Sequence, residues 1–188
     1  GRCASPLVAG QRKTNWDWPS YPHCNVQWLQ GGGSLVRAPL IMPLPIISVA
    51  QMRDWEKRTW AGGVSEESVM SNAGRAVAQS ALAMTPEGGT VLLIVGKGNN
   101  GGDTRIACEH LSGRLQILID VKNPVSALRE FKHALDQRPD LIVDGLFGIG
   151  LNRDLEEDHC DLVRAINTTR IPVLAVDCPS GLNADAGK

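Results

Sequence analysis

The sequence has little charge imbalance, few aromatic residues and no long uninterrupted apolar segment. Its formal net charge is −1, which gives no electrostatic field for attracting nucleic acid or an anionic membrane, so neither is expected as a main partner. The longest apolar stretch, residues 38–50, contains three prolines and is too short to span a bilayer. No basic segment followed by an apolar run begins the sequence, so nothing indicates secretion.

Cysteine and histidine residues with metal-ligand spacing are also lacking. The five cysteines are scattered without a Cys-x-x-Cys motif, and the four histidines stand alone. An odd, dispersed set of cysteines is typical of reduced thiols and argues against a disulfide framework or a zinc site. The sequence therefore predicts a cytoplasmic protein.

The first quarter of the sequence differs from the rest. Residues 1–45 contain scattered prolines and three consecutive glycines, and their apolar residues follow neither the helical nor the strand period. This composition predicts a poorly ordered N-terminal extension. Residues 46–188 are predicted to form one domain, which is long enough to bury a core of its own.

Helical and strand patterns alternate along residues 46–188. The capping-box spacing of Ser48 and Gln51 predicts a helix that ends near Gly62, and Ser65 begins a second helix that runs to about Met84. Short apolar segments, typical of strands buried on both faces of a parallel sheet, follow at 90–95, 115–120, 141–146 and 172–177. Further helical patterns separate them, at about 102–111, 126–137 and 157–169. The alternation predicts a three-layer α/β/α Rossmann-like sandwich with a mainly parallel sheet.

Three polar, glycine-rich segments follow the first, third and fourth predicted strands. They are GKGNNGGD at 96–103, DGLFGIGLNRD at 144–154 and DCPSGLNAD at 177–185. We expect them to meet at the carboxyl edge of the sheet, where such folds bind ligands. The first segment contains G-x-G-x-x-G, and Asp120 ends the next strand, a pattern typical of dinucleotide binding.

The three segments, in this order, closely resemble the N-terminal family of YjeF proteins, the NAD(P)H-hydrate epimerases. The segment NAGRAVA at 72–78 is similar to the second helix of that family, so the resemblance runs from about residue 47 to 188. It implies an isomerase of nicotinamide nucleotide repair that interconverts the R and S epimers of hydrated NADH and NADPH.

The resemblance also implies the residues of the site. The hydrated dinucleotide would be bound by Asn99, Asn100, Gly101, Gly102, Asp103, Gly148, Ile149, Gly150, Leu151, Asn152, Arg153, Asp154 and Asp177. One potassium ion per subunit would be held by Asn100, Asp144 and Ser180. Their amide, carboxylate and hydroxyl oxygens are hard ligands that a monovalent cation accepts, and the ion would compensate the charge of Asp144.

Asp177 is the expected catalytic residue. Inversion at the hydrated carbon needs a group that gives and takes a proton at the hydroxyl oxygen, and no histidine lies in the three segments. A carboxylate in a partly desolvated pocket has a raised pKa and can serve both ways. Asp144 is a poorer proton carrier because its carboxylate would be committed to the cation.

The sequence departs from the family pattern in three places. Thr104 and Arg105 follow NNGGD where the family has Gly and an apolar residue, and Ser71 stands where the family has Glu. The sequence also stops earlier than the family's domain does, so the domain is expected to be incomplete at its C-terminus. The resemblance is compatible with a homodimer. It is also compatible with an NAD(P)H-hydrate dehydratase as a partner, either fused to this chain or separate.

Two other functions fit parts of the sequence. A nicotinamide-dependent dehydrogenase would use GKGNNG and Asp120, but it leaves the segments that begin at Asp144 and Asp177 without a role. A nucleotide-binding or scaffold protein on the same fold would lack catalysis, since a fold alone does not fix a function. Turnover of the hydrate epimers, as opposed to binding alone, distinguishes these functions.

Overall fold

The structure, a computed structural model, describes residues 47–187. The predicted extension of residues 1–45 lies outside the described residues. The helices are α1 (Val49–Ala61), α2 (Glu66–Met84), α3 (Asn99–Glu109), α4 (Pro124–Ala134) and α5 (Glu157–Thr168). The strands are β1 (Thr90–Val95), β2 (Leu115–Asp120), β3 (Leu141–Gly145) and β4 (Val173–Ala175), and a 3₁₀ turn, Leu135–Gln137, follows α4. No helix in this part of the chain is long and apolar enough to cross a membrane.

The four strands form one parallel sheet in the order β2-β1-β3-β4. Every residue of β1 and β3 is buried, as their continuous apolar sequences predict. Helices α2 and α3 cover one face of the sheet, and α4 and α5 cover the other. The predicted α/β/α Rossmann-like fold is therefore confirmed, and the strand order reverses between β1 and β3, where such folds have their ligand crevice.

Local sequence signals fix most helix ends. Ser48 and Gln51 form the predicted capping box at the start of α1, and the Ser65 hydroxyl accepts a hydrogen bond from the Ser68 N–H at the start of α2. Helix α3 begins at Asn99, before the predicted position, because the NNGG sequence forms its first turn. Strand β4 ends before Asp177 because that residue has a φ of 65°, which a strand cannot accommodate.

Helix α3 is held in place by a close crossing with α2. A Cβ on Gly74 of α2 would lie 2.5 Å from the Ile106 side chain and 2.8 Å from the Asp103 carbonyl oxygen. Only glycine allows this approach. The NAGRAVA segment therefore sets the position of α3, whose N-terminal half carries Asn99, Asn100 and Asp103 to the carboxyl edge of the sheet.

Candidate active site

A cleft of about 640 Å³ opens at the carboxyl edge of the sheet, beside the ends of β1 and β3. Helices α1 and α2 form one wall, and the loops after β1 and β3 form the other. Most of the residues predicted to bind the dinucleotide line it: Asn99, Asn100, Asp103, Gly148, Ile149, Gly150, Leu151, Asn152, Arg153 and Asp177. The structure therefore brings the three predicted segments together.

Three of the predicted binding residues do not line the cleft. A Cβ on Gly101 would overlap the carbonyl oxygen of Gly96, and one on Gly102 would lie 2.8 Å from the Met70 sulfur. These glycines let α3 approach the β1 loop and α2, so the structure gives them a packing role. Asp154 is exposed and lies just beyond the lining loop.

The residues predicted to hold a cation, Asn100, Asp144 and Ser180, are buried, with exposures of 7%, 6% and 4%. The Ser180 hydroxyl donates to Asp144 Oδ1 at 2.6 Å, and the Ser180 N–H donates to Oδ2 at 3.0 Å. Burial raises the pKa of the Asp144 carboxyl, and the hydrogen bonds from Ser180 and from the Leu146 N–H act in the opposite direction. Among the described residues no Lys, Arg or His pairs with this carboxylate.

Asn100 is fixed in an orientation that faces the loop after β3. Its Nδ2 donates to the Val176 carbonyl oxygen at 2.8 Å, and a Cβ on Gly148 would overlap its amide group. The fully buried Thr104 hydroxyl donates to the Asn100 carbonyl oxygen at 2.7 Å. The departure from the family pattern at Thr104 therefore lies beneath the site and not in the cleft.

This donor set fits a monovalent cation. The set offers an amide oxygen from Asn100, a carboxylate from Asp144 and a hydroxyl oxygen from Ser180. None of these side chains is a soft ligand. A buried carboxylate without a positive partner is unfavourable unless it is protonated, hydrogen-bonded or compensated by a cation. The structure is thus compatible with the predicted potassium site, which stays a prediction.

Asp103 and Asp177 both line this cleft, as do Glu56 and Glu66 from the helical wall. Burial, followed by the negative charge of Asp177, raises the pKa of Asp103 to about 6. The acidic side chain with the raised pKa, Asp103, lies in the first predicted segment, and the expected proton carrier Asp177 lies in the third. Asp177 itself adopts the left-handed backbone conformation, which Asp and Asn tolerate better than most residues.

The structure adds cleft residues that the sequence analysis missed. They are Arg53, Glu56 and Trp60 of α1, Glu66, Val69, Met70 and Ala73 of α2, Lys97 and Gly98 of the β1 loop, and Val121, Leu146, Phe147 and His159. The His159 ring lies edge-on to Phe147, with centroids 5.3 Å apart. His159 is the third residue of α5, and the first turn of a helix after a strand lies at the ligand edge, which is a signal that the sequence did contain.

Asp120, the ribose-binding candidate of a dehydrogenase, is placed differently. Its carboxylate pairs with Arg105 at 3.0 Å and with Lys122 at 3.8 Å, and none of the three lines the cleft. Arg105, which departs from the family pattern, thus forms an ion pair with Asp120 beside the site. This arrangement gives no support to the dehydrogenase alternative.

The chain matches known proteins along most of its length. The model of the family "YjeF-related protein N-terminus" matches residues 66–122 and 112–188. An NAD(P)H-hydrate epimerase of Achromobacter xylosoxidans is 39% identical, over 77% of this chain and 76% of that protein. An NAD(P)H-hydrate epimerase of Limosilactobacillus fermentum is 31% identical, over 75% of this chain and 77% of that protein.

A longer relative shows the same similarity in one part of its length. A bifunctional NAD(P)H-hydrate repair enzyme Nnr of Gloeobacter violaceus is 33% identical over 76% of this chain, but this chain covers only 32% of that protein. The family match covers the three loop segments and the helix α2 that supports them. The chain therefore belongs to the YjeF-related N-terminal family.

Proposed function

We propose that the chain is an NAD(P)H-hydrate epimerase that interconverts the R and S epimers of hydrated NADH and NADPH in nicotinamide nucleotide repair. The observation that carries the proposal is that Asp103 and Asp177 lie with the glycine-rich loops after β1 and β3 in one cleft. Relatives that are 39% and 31% identical bear the name of this activity. The family membership and the site thus point to the same reaction.

The dinucleotide is bound by the backbone of two loops. Helix α3 begins at Asn99 after a glycine cap, and within the described residues the N–H groups of Asn99, Asn100 and Gly101 donate to no other group, so they can bind an anion. The loop from Gly148 to Arg153 lines the opposite side. Asp103 and Asp177 lie beside these loops, where the hydrated nicotinamide ring is placed.

Asp177 exchanges a proton with the hydroxyl oxygen of the substrate. In its protonated form it donates to the hydroxyl, the carbon–oxygen bond breaks, water leaves, and the lone pair of the ring nitrogen stabilises the carbon. Water then adds to the opposite face and loses a proton, and the Asp177 carboxylate takes up one proton to restore its acid form, so atoms and charge balance. Epimerisation by ring opening at the same carbon needs the same proton carrier.

Asp103 supports this exchange as a second acid–base group. A carboxyl with a pKa of about 6 is partly protonated near neutral pH, and paired carboxylates in one site can share a proton. The negative charge of Asp177 contributes to that pKa. Asp103 therefore supplies a partly protonated carboxyl group beside Asp177 in the proposed mechanism.

Asn100, Asp144 and Ser180 would hold one potassium ion per subunit at the edge of the site. When bound, the ion supplies positive charge that compensates the Asp144 carboxylate. Ser180 joins this cluster to the loop after β3, because the Phe147 N–H donates to its hydroxyl at 2.9 Å. The protein groups of the cluster thereby orient the loops that bind the substrate.

An NAD(P)H-hydrate dehydratase is the proposed functional partner. It would consume one of the two epimers, on a separate chain or fused to this one. The similarity to a bifunctional repair enzyme supports this partnership. A homodimer and a cytoplasmic location are predicted from the family and the sequence.

A stereospecific assay tests the proposed function. The purified chain is given a single epimer of hydrated NADH, and the two epimers are separated and quantified over time. Conversion faster than in buffer alone is the expected result. Binding of the hydrate without conversion would instead identify a non-catalytic nucleotide-binding protein.

A further inference from the structure

Arg53 of helix α1 lies over the loop after β3. Its Nη2 is 3.7 Å from the position that a Cβ on Gly150 would occupy. It lines both the main cleft and a neighbouring cavity of about 360 Å³. The side chain thus reaches from α1 to the glycine-rich loop that the proposed function assigns to the dinucleotide.

The Arg53 guanidinium has no ionic partner among residues 47–187. Two other arginines near it differ in this respect. Arg58, on the same helix, pairs with Asp54 at 2.8 Å, and Arg153, in the cleft, pairs with Glu156 at 3.1 Å. Within the described residues, Arg53 therefore brings to the cleft a guanidinium that no carboxylate pairs with directly, although Glu56, Glu66, Asp103 and Asp177 line the same cleft.

The loop beneath Arg53 presents free hydrogen-bond donors. Within the described part of the chain, the N–H groups of Gly148, Ile149 and Gly150 donate to no other group, and only the Leu151 N–H is used, donating to the Gly148 carbonyl oxygen at 3.1 Å. Successive free backbone N–H groups bind anions. A group that satisfies both these donors and a guanidinium is anionic and carries several oxygens, as a phosphate does.

Helix α1 has few other ties to the domain. None of its residues is buried, and its Trp55 is 60% exposed. Its first residue is tied to the domain by a hydrogen bond of 2.8 Å from the Val49 N–H to the Asp185 carboxylate. A ligand held by Arg53 would add a contact between this helix and the site.

We infer that Arg53 is a positioning residue that binds the diphosphate of the substrate together with the loop from Gly148 to Gly150, and that this contact fixes α1 over the cleft. The inference rests on the proposed function, because it takes a hydrated dinucleotide as the ligand. Arg53 does not touch the reacting ring. Its contribution is to substrate binding and to the ordering of α1.

The test uses the full chain and the variants Arg53→Gln, Arg53→Lys, Lys97→Gln and Arg58→Gln. Arg58→Gln is the matched control, because it removes the same charge from the same helix outside the cleft. Binding of hydrated NADH and of inorganic pyrophosphate is measured by calorimetry. Hydrogen exchange of the α1 amides is measured with and without hydrated NADH.

Loss of a charge-assisted hydrogen-bonding group typically weakens binding by about 10–100-fold. We expect Arg53→Gln to lose hydrated NADH and pyrophosphate affinity by about this factor, and Arg53→Lys to lose less. Ligand-induced protection of α1 should disappear in Arg53→Gln and persist in Arg58→Gln. In turnover, KM should rise in Arg53→Gln with kcat nearly unchanged.

Three outcomes would overturn the inference. The first is wild-type affinity in Arg53→Gln. The second is an equal loss of affinity in Arg58→Gln, which would show a general effect of charge. The third is a loss of affinity in Lys97→Gln without a loss in Arg53→Gln. Binding without turnover by the wild type would contradict the proposed function alone, and the binding series would still decide the role of Arg53.

Discussion

Asp103 and Asp177 line one cleft, and the charge of Asp177 adds to burial in raising the pKa of Asp103 to about 6. The two residues come from different elements, since Asp103 lies in the first half of α3 and Asp177 follows β4. Neither forms an ion pair among the described residues. The pair is therefore available for proton exchange with a bound substrate.

Asp177→Asn should reduce epimerisation by about 10²–10⁴-fold, because general acid–base catalysis typically contributes that factor. Asn keeps the size of the side chain and tolerates the φ of 65° at this position. Dinucleotide affinity should change far less, since the loops bind the phosphates. The assay is steady-state turnover beside equilibrium binding, with Asp154→Asn as the control outside the cleft. Turnover within a few fold of wild type in Asp177→Asn, together with an inactive Asp103→Asn, would give the role to Asp103.

Asp103 should make stability depend on pH. Its folded-state pKa of about 6 lies above the ordinary value of 3.8, so the folded state binds the proton more tightly, and stability falls as the pH rises from about 4 to 6. Asp103→Asn removes this loss, which is about 1 kcal/mol after solvent screening is allowed for. Denaturant unfolding at pH 4 and pH 7.5 checks the sign. A variant that loses more stability at pH 7.5 than at pH 4, relative to wild type, would contradict it.

Asp144→Asn should abolish stabilisation by potassium. The substitution keeps the shape of the buried side chain and removes the only formal charge among the three proposed ligands. Thermal unfolding of wild type and variant is compared in potassium chloride and in choline chloride at equal ionic strength. Equal stabilisation of both proteins by potassium would rule out this site for the ion.

Gly148→Ala should disturb the cluster of Asn100, Asp144 and Ser180 through packing. The new Cβ would overlap the Asn100 amide, and overpacking of this kind typically costs about 1–3 kcal/mol. Gly150→Ala is the matched control, because its Cβ would meet only the flexible Arg53 side chain at 3.7 Å. Chemical denaturation should show a lower free energy of unfolding for Gly148→Ala and an unchanged one for Gly150→Ala. Equal stability of the two variants would show that Asn100 moves without penalty.

Deletion of residues 1–45 tests the prediction made for the N-terminal segment. A poorly ordered extension adds little to the core, so the thermal midpoint should stay nearly unchanged. A fall of more than about 5 °C, which is on the order of 1 kcal/mol for a small domain, would show that the segment packs against the domain.

The sequence predicted the sheet and the meeting of the three loops because those features follow from local patterns. Continuous apolar segments such as Thr90–Val95 leave no polar face, so they form buried parallel strands, and the loops after them meet at one edge. Capping signals such as Ser48 with Gln51 act within one turn of helix and were equally readable.

The sequence did not reveal features that depend on tertiary neighbours. Arg53 is about a hundred residues from Gly150 along the chain, and no pattern in α1 shows that the two approach each other. The raised pKa of Asp103 depends on burial between elements and on Asp177, which are both products of the fold. The early end of β4 depends on the backbone conformation at Asp177. In the sequence this residue directly follows an apolar segment, and nothing there marks the change of conformation.

The most direct test of the account is the interconversion of the R and S epimers of hydrated NADH by the purified chain, followed by chromatographic separation. The account predicts that either epimer alone gives the same final mixture, faster than in buffer, and that Asp177→Asn slows the approach by at least about a hundredfold. An epimerisation rate equal to that in buffer alone, while hydrated NADH is bound to the chain, would contradict it.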